Sequence, residues 1–157
     1  MHGQMLKKEL QKMNLEKTIN HRIATLAGLL KRQAYHIILE NNLTITPEQW
    51  VVLYYLWKEN GLTVGEISVK TKKDFGNVTR IIVKLEKMGF VEKRKNDSDS
   101  RSFKVFYLPK SEAIKKEVQN CWKQSSDIAL KGVSQSEQQQ LLETIEKIET
   151  NILNNMK

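Results

Sequence analysis

Residues 62–108 read LTVGEISVKTKKDFGNVTRIIVKLEKMGFVEKRKNDSDSRSFKVFYL, and the punctuation of this stretch decides the fold. Thr63-Val64-Gly65-Glu66 is a capping box: the Thr hydroxyl takes an orphan amide of the first turn while the Glu reaches back to the Thr amide. It opens a short helix that runs to about Thr71. Asp74 caps the next helix, with Asn77 at N3. Val78, Ile81, Ile82 and Leu85 recur at helical spacing and form its apolar face, and Gly89 ends it. Phe90–Arg94 and Phe103–Leu108 then switch to extended patterns rich in aromatic and β-branched residues. Between them, residues 95–102 (KNDSDSRS) have nothing to bury, which predicts a two-stranded hairpin with a mobile tip. Two short capped helices followed by a hairpin make a winged helix-turn-helix, whose second helix enters a DNA major groove while the wing reaches the flank.

Outward from this stretch the chain is helical. Thr46-Pro47-Glu48-Gln49 boxes a helix that carries Trp50, Leu53, Tyr54 and Trp57, with Asn60-Gly61 at its end. Before it, Ile19, Ile23, Leu26 and Leu30 follow i, i+4, i+7, i+11 and predict a long first helix over about Leu15–Leu39. After the wing, Ser111 is expected to cap a fifth helix with Ile114, Val118, Cys121, Ser125 and Ile128 on one face. Gly132 breaks the chain. Ser134 and Glu137 box a last helix striped by Leu141, Ile145, Ile148 and Ile152. The expected fold is mainly α with a small β-hairpin wing. It is organised as an N-terminal dimerisation helix over 1–42, a winged helix-turn-helix lobe over 43–110 and C-terminal dimerisation helices over 111–157.

Composition agrees with that frame. The chain has 157 residues, enough for one core. Its two prolines and seven glycines favour long helices. The start is polar and Lys-rich without an apolar core segment, and no stretch has the length of a membrane span, so neither a secretory signal nor a membrane is expected. The single cysteine, Cys121, forms no disulfide within the chain; a reducing cytoplasm is the natural setting and a buried structural thiol its expected role. The formal net charge is +8. Residues 61–110 hold twelve Lys and Arg against six Asp and Glu, while the other 107 residues hold fourteen against twelve, so the excess is concentrated in the winged lobe. Concentrated positive charge points to a polyanionic partner.

The outer side of the second motif helix carries Lys73, Asn77, Arg80, Lys84 and Lys87, spaced by four and three residues alternately. A charged outer face is the default for a surface helix. This one lies between a capped helix and a basic hairpin (Lys93, Arg94, Lys95, Arg101, Lys104), and Gly76 adds no bulk at its leading end. Asn pairs bidentately with adenine and Arg with guanine, and lysines take phosphates. Double-stranded DNA is therefore the expected partner. There is no Gly-rich phosphate loop, no Cys/His metal spacing, no nucleophile elbow and no obvious carboxylate pair, so neither an enzyme nor a cofactor is expected. His21 and His36 are too far apart for a helical metal pair. The competing reading is a winged-helix module that binds protein and lacks sequence-specific DNA binding.

The stretch from Leu43 to Leu108 resembles the MarR family of bacterial transcriptional regulators. Thr46-Pro47-Glu48-Gln49-Trp50-Val51-Val52-Leu53 is similar to the family's helix leading into the DNA lobe. Leu62-Thr63-Val64-Gly65-Glu66-Ile67 is similar to its first motif helix. Asn77-Val78-Thr79-Arg80 and Leu85-Glu86-Lys87-Met88-Gly89-Phe90-Val91 are similar to its recognition helix and the start of its wing, and Asp99-Ser100-Arg101 to its wing tip. After the wing the chain departs from the family: Leu108-Pro109 stands where a Leu-Thr pair is common.

The expected DNA contacts are Lys73, Gly76, Asn77, Thr79, Arg80, Lys84, Lys87, Arg94, Asp99 and Arg101, of which the resemblance implies the wing-tip role. Arg101 would enter a narrow minor groove, oriented by a charge-assisted bond from Asp99. The resemblance implies a homodimer on a pseudo-palindromic operator, with Ile19, Ile23, Ile145, Ile148 and Ile152 at the interface; packing of these helices within one subunit is the alternative. It also implies a small aromatic or anionic effector, bound in a cleft where dimer helices meet the DNA lobe; repression is the expected outcome of DNA binding, because a bound dimer occludes a promoter without further contacts. His21, Arg22, Tyr35, His36, Trp50 and Tyr54 are candidates there, although the helical spacing of Trp50 and Tyr54 equally suits core packing.

Overall fold

The computed structural model describes residues 14–156. Helices α1 (Ile19–Glu40), α2 (Pro47–Lys58), α3 (Val64–Thr71) and α4 (Phe75–Lys87) are followed by α5 (Pro109–Ala113), α6 (Lys115–Ala129) and α7 (Gln135–Asn155). Strands β1 (Leu62–Thr63), β2 (Val91–Asn96) and β3 (Asp99–Tyr107) form one antiparallel sheet in the order β1-β3-β2. The described residues fall into two compact units that divide between Ser125 and Ser126. None of the described helices is long and apolar enough to cross a membrane.

The helix starts are where the caps predict them. Thr46 and Thr63 each accept the amide of N3 and receive the Gln49 or Glu66 side chain on their own amide. Asp74 accepts the Asn77 amide at 2.8 Å. The first helix differs: Leu15–Lys17 is a separate 3-10 turn, because Thr18 takes an extended conformation and caps α1 by accepting from the His21 amide.

In the first unit, Val52, Leu53 and Leu56 of α2 meet Ile67 of α3, Val78, Ile82 and Leu85 of α4, and Val91 and Val105 of the sheet, all fully buried. Each such side chain contributes about 1.5–3 kcal/mol by leaving water. Ile38 of α1 and Val118 of α6 close the same core. Gly61, at φ +78°, is required there: a Cβ would lie 2.8 Å from the Phe106 ring.

Two expectations are corrected. The hairpin is longer and its turn tighter: pairing runs from Val91↔Tyr107 to Asn96↔Asp99, leaving only Asp97 and Ser98 between the strands. A third strand joins it, since Leu62↔Val105 and Thr63↔Lys104 also pair. Ser111, moreover, caps nothing. Pro109 at N1 starts α5 behind Leu108, and Ser111 is buried, donating to the Leu108 carbonyl at 3.0 Å and accepting from the Trp57 indole at 3.4 Å. The Pro ring suits a first turn, so the helix begins three residues early, and it ends at Ala113, with Ile114 separating it from α6 instead of belonging to one continuous fifth helix.

In the second unit, Gly132 has φ +82° and Ser134 and Glu137 complete the expected box that starts α7. No residue of α7 is buried, and Leu141, Leu142, Ile145, Ile152 and Leu153 are exposed. The same holds for the first three turns of α1, where Ile19, Ile23, Leu26 and Leu30 face solvent.

Candidate nucleic-acid interface

The orientation of α4 follows from what it buries. Val78, Ile81, Ile82 and Leu85 lie in the core, so the opposite line is Gly76, Arg80, Val83 and Lys87 at i, i+4, i+7 and i+11. Asn77 and Lys84 flank this ridge on one side, with Asn77 half-buried, and Phe75 and Thr79 on the other; Lys73 lies in the turn before the Asp74 cap, outside the helix that the sequence stripe assumed. The cationic stripe read from the sequence is thus one ridge and one flank of the exposed surface. Among the described residues, Lys73, Arg80, Lys84 and Lys87 make no ion pair, whereas Glu86, toward the wing, is taken by Lys93 at 3.0 Å. The exposed face of α4 therefore keeps its positive field unquenched.

Both ends of α4 are fixed. The turn before it holds Lys72 in the left-handed conformation, and the Ser68 hydroxyl donates to the Lys73 carbonyl. After it, the Lys110 ammonium donates to the Met88 carbonyl at 2.7 Å, a cation on the negative end of the helix dipole.

The wing sorts its cations into two groups. Arg94 and Lys104 face each other across β2 and β3, a like-charge pair that costs stability unless relieved. Arg94 is relieved by the Glu92 carboxylate, which its Nε meets at 2.8 Å, and lies 4.5 Å from the centre of the Phe106 ring. Arg94 is thus held at the wing base. At the tip, Lys95 and Arg101 are exposed. The Asp99 carboxylate accepts from the Arg101 backbone amide at 3.0 Å, not from the guanidinium as expected; it shapes the turn and leaves the Arg101 head group uncommitted.

The effector candidates divide. Tyr35 and His36 line a groove of about 870 Å³ between α1 and the start of α2, crossed by the Lys31–Glu48 ion pair. Burial pushes the Glu48 carboxyl up, but Lys31 and the first-turn amides outweigh it and hold the group below the usual carboxylate range. Trp50 and Tyr54 line a separate hollow of about 360 Å³ with Trp122, whose ring centre is 6.5 Å from that of Trp50 and 6.2 Å from that of Tyr54. Trp50 also belongs to the core. His21 and Arg22 line neither. Trp122 was missed because it lies off the apolar stripe of α6; Phe75 was missed because its spacing from Val78 and Ile82 fits the buried face, whereas the residue is exposed. Cys121 is buried, and burial pushes its thiol above the usual value.

A three-helix lobe with a β-hairpin wing, and an outward helix whose cations have no ion-pair partner among the described residues, defines a winged helix-turn-helix DNA-binding protein. The MarR family model matches residues 45–103. The chain is 31% identical over 105 residues to the HTH-type transcriptional regulator YsmB of Bacillus subtilis, covering 67% of this chain and 68% of that one. A MarR-family regulator of Listeria monocytogenes, solved with a 26mer DNA, superposes with a TM-score of 0.78 at 23% identity over 88% of this chain and 91% of that one. The Bordetella bronchiseptica regulator BpsR, whose DNA binding is regulated by 6-hydroxynicotinic acid, superposes with a TM-score of 0.78 at 17% identity, covering 85% and 94%. The chain belongs to the MarR family. It is a DNA-binding transcriptional regulator and not an enzyme.

Proposed function

We propose that the chain represses transcription as a homodimer on a pseudo-palindromic operator and releases it on binding a small aromatic or anionic effector. The observation that carries the DNA contact is the exposed face of α4: Arg80, Lys84 and Lys87 lie opposite a fully buried apolar side and have no carboxylate partner among the described residues. Arg80 and Asn77 read base edges, Lys73, Lys84 and Lys87 take phosphates, and Gly76 and Thr79 lie at the close approach. Arg101 enters the flanking minor groove, with Asp99 holding the turn; Arg94 supports the wing base.

Dimerisation is supported by apolar surface that the chain leaves bare. Ile19 and Ile23 of α1, with Ile145, Ile148 and Ile152 of α7, supply the seam, over the segments 1–42 and 111–157 that flank the DNA lobe of 43–110. A two-fold axis then sets two α4 helices about one DNA turn apart, roughly 34–36 Å. The effector site is the α1–α2 groove at Tyr35 and His36 or the Trp50–Tyr54–Trp122 hollow; each adjoins α2, which packs directly on α4. The protein acts in the cytoplasm.

Selection of bound duplexes from a random pool tests this. The expected product is an inverted repeat with an A/T-rich stretch where Arg101 lies, bound by two chains per duplex in sedimentation. An asymmetric single site bound by one chain contradicts the proposal.

A further inference from the structure

Phe75 is the first residue of α4, and its side chain is 60% exposed. The buried face of α4 uses Val78, Ile81, Ile82 and Leu85, and Phe75 takes no part in the core. One turn on, Thr79 lies on the same flank. Its hydroxyl donates to the Phe75 carbonyl at 2.8 Å, so its polar end is spent on its own helix and its γ-methyl is what it offers a partner. Beside both runs the ridge of Gly76 and Arg80. The neighbours of Phe75 along the chain are Lys72, Lys73, Asp74, Gly76 and, one turn on, Arg80, and an apolar ring set among such charged residues suits no extended apolar partner. It suits a small methyl group embedded in a polyanion. The major groove supplies such a group in the thymine 5-methyl, which Phe and the Thr methyl contact.

We propose that Phe75, with the Thr79 methyl, determines specificity by reading thymine 5-methyl groups in the major groove. This rests on the docking of α4 proposed above. Asn77 lies on the other flank of the Arg80 ridge, so the thymine read by Phe75 lies on the side of the Arg80-contacted base pair away from Asn77.

The test uses the full chain and the duplex selected from the random pool. Each thymine is replaced singly by deoxyuridine, which keeps its pairing and loses only the methyl, and affinity is read by fluorescence anisotropy. The wild type should lose about fourfold at one thymine per half-site, the effect of one methyl group left in water. Phe75→Ala should bind the parent duplex more weakly and lose the thymine–deoxyuridine difference at that position while keeping any difference elsewhere. Phe75→Leu should retain part of it, and guards against a folding defect in the alanine variant.

Indifference of the wild type to every methyl, a selected operator with no thymine in that stretch, or an undiminished difference in Phe75→Ala overturns the inference while leaving the docking intact. A chain that binds no duplex overturns the docking and this inference with it.

Discussion

Gly76→Ala separates what the fold needs from what the DNA needs. Gly76 occupies the second position of α4, and its φ is not positive. The nearest atom a Cβ would meet is the Asp74 Oδ1 at 3.4 Å, an ordinary approach. Nothing inside the chain therefore requires glycine, although glycine costs a helix interior about 1 kcal/mol relative to alanine. In the first turn roughly half of that applies, so Gly76→Ala should stabilise by about 0.5 kcal/mol and raise the melting temperature by about 1–2 °C. On the DNA side the added methyl has no room if the helix end closes on the groove. Overfilling a packed interface costs about 1–3 kcal/mol in each half-site, so a duplex with two half-sites should bind the variant at least about thirtyfold more weakly. Thermal melting and anisotropy on one preparation read both signs. A variant that melts higher and binds as tightly as the parent refutes the close approach of this helix end; one that melts lower refutes the account of the space around Gly76.

Other consequences follow from single groups. The Thr63 amide and hydroxyl both donate to Glu66, holding its carboxyl below the usual range. A depressed carboxylate stabilises the fold above its ordinary value of about 4.3 and loses that contribution as pH falls through the folded value. Glu66→Gln should thus be less stable than the parent at pH 7, by up to about 1 kcal/mol, and the two should converge in denaturant titrations as pH falls through the folded value of Glu66. Ile145→Lys removes an exposed apolar group from α7 without opening a cavity. If the seam runs there, two copies of the change should weaken the dimer by about 3–6 kcal/mol, seen as monomer in sedimentation at micromolar concentration; an unchanged dimer places the seam elsewhere.

Most of the lobe was legible because its punctuation is local. The Thr46, Thr63, Asp74 and Ser134 caps need only residues three apart, and each forms as read. The third strand was not legible, because two residues, Leu62 and Thr63, carry no period, and their pairing with Val105 and Lys104 is set by the tertiary fold. Ser111 misled because its residue type suits a cap, while the preceding Leu108-Pro109 starts the helix first. Within the candidate site, charge was legible and its availability was not. Arg94 and Arg101 look alike in sequence, yet one lies against Glu92 and Phe106 while the other is exposed at the tip. Phe75 escaped attention because, at three and seven residues before Val78 and Ile82, it reads as a continuation of their apolar stripe, and its exposure is visible only once burial is known.

The central claim is that the exposed face of α4 meets DNA phosphates, and the salt dependence of binding tests it most directly. Anisotropy titrations of the wild type and Lys84→Ala between about 50 and 200 mM salt give the slope of log affinity against log salt. The account predicts a steep negative slope for the wild type and a slope shallower by about two units for Lys84→Ala, because one phosphate in each half-site then keeps its counterion. A flat slope in the wild type, or the same slope in both proteins, would contradict it.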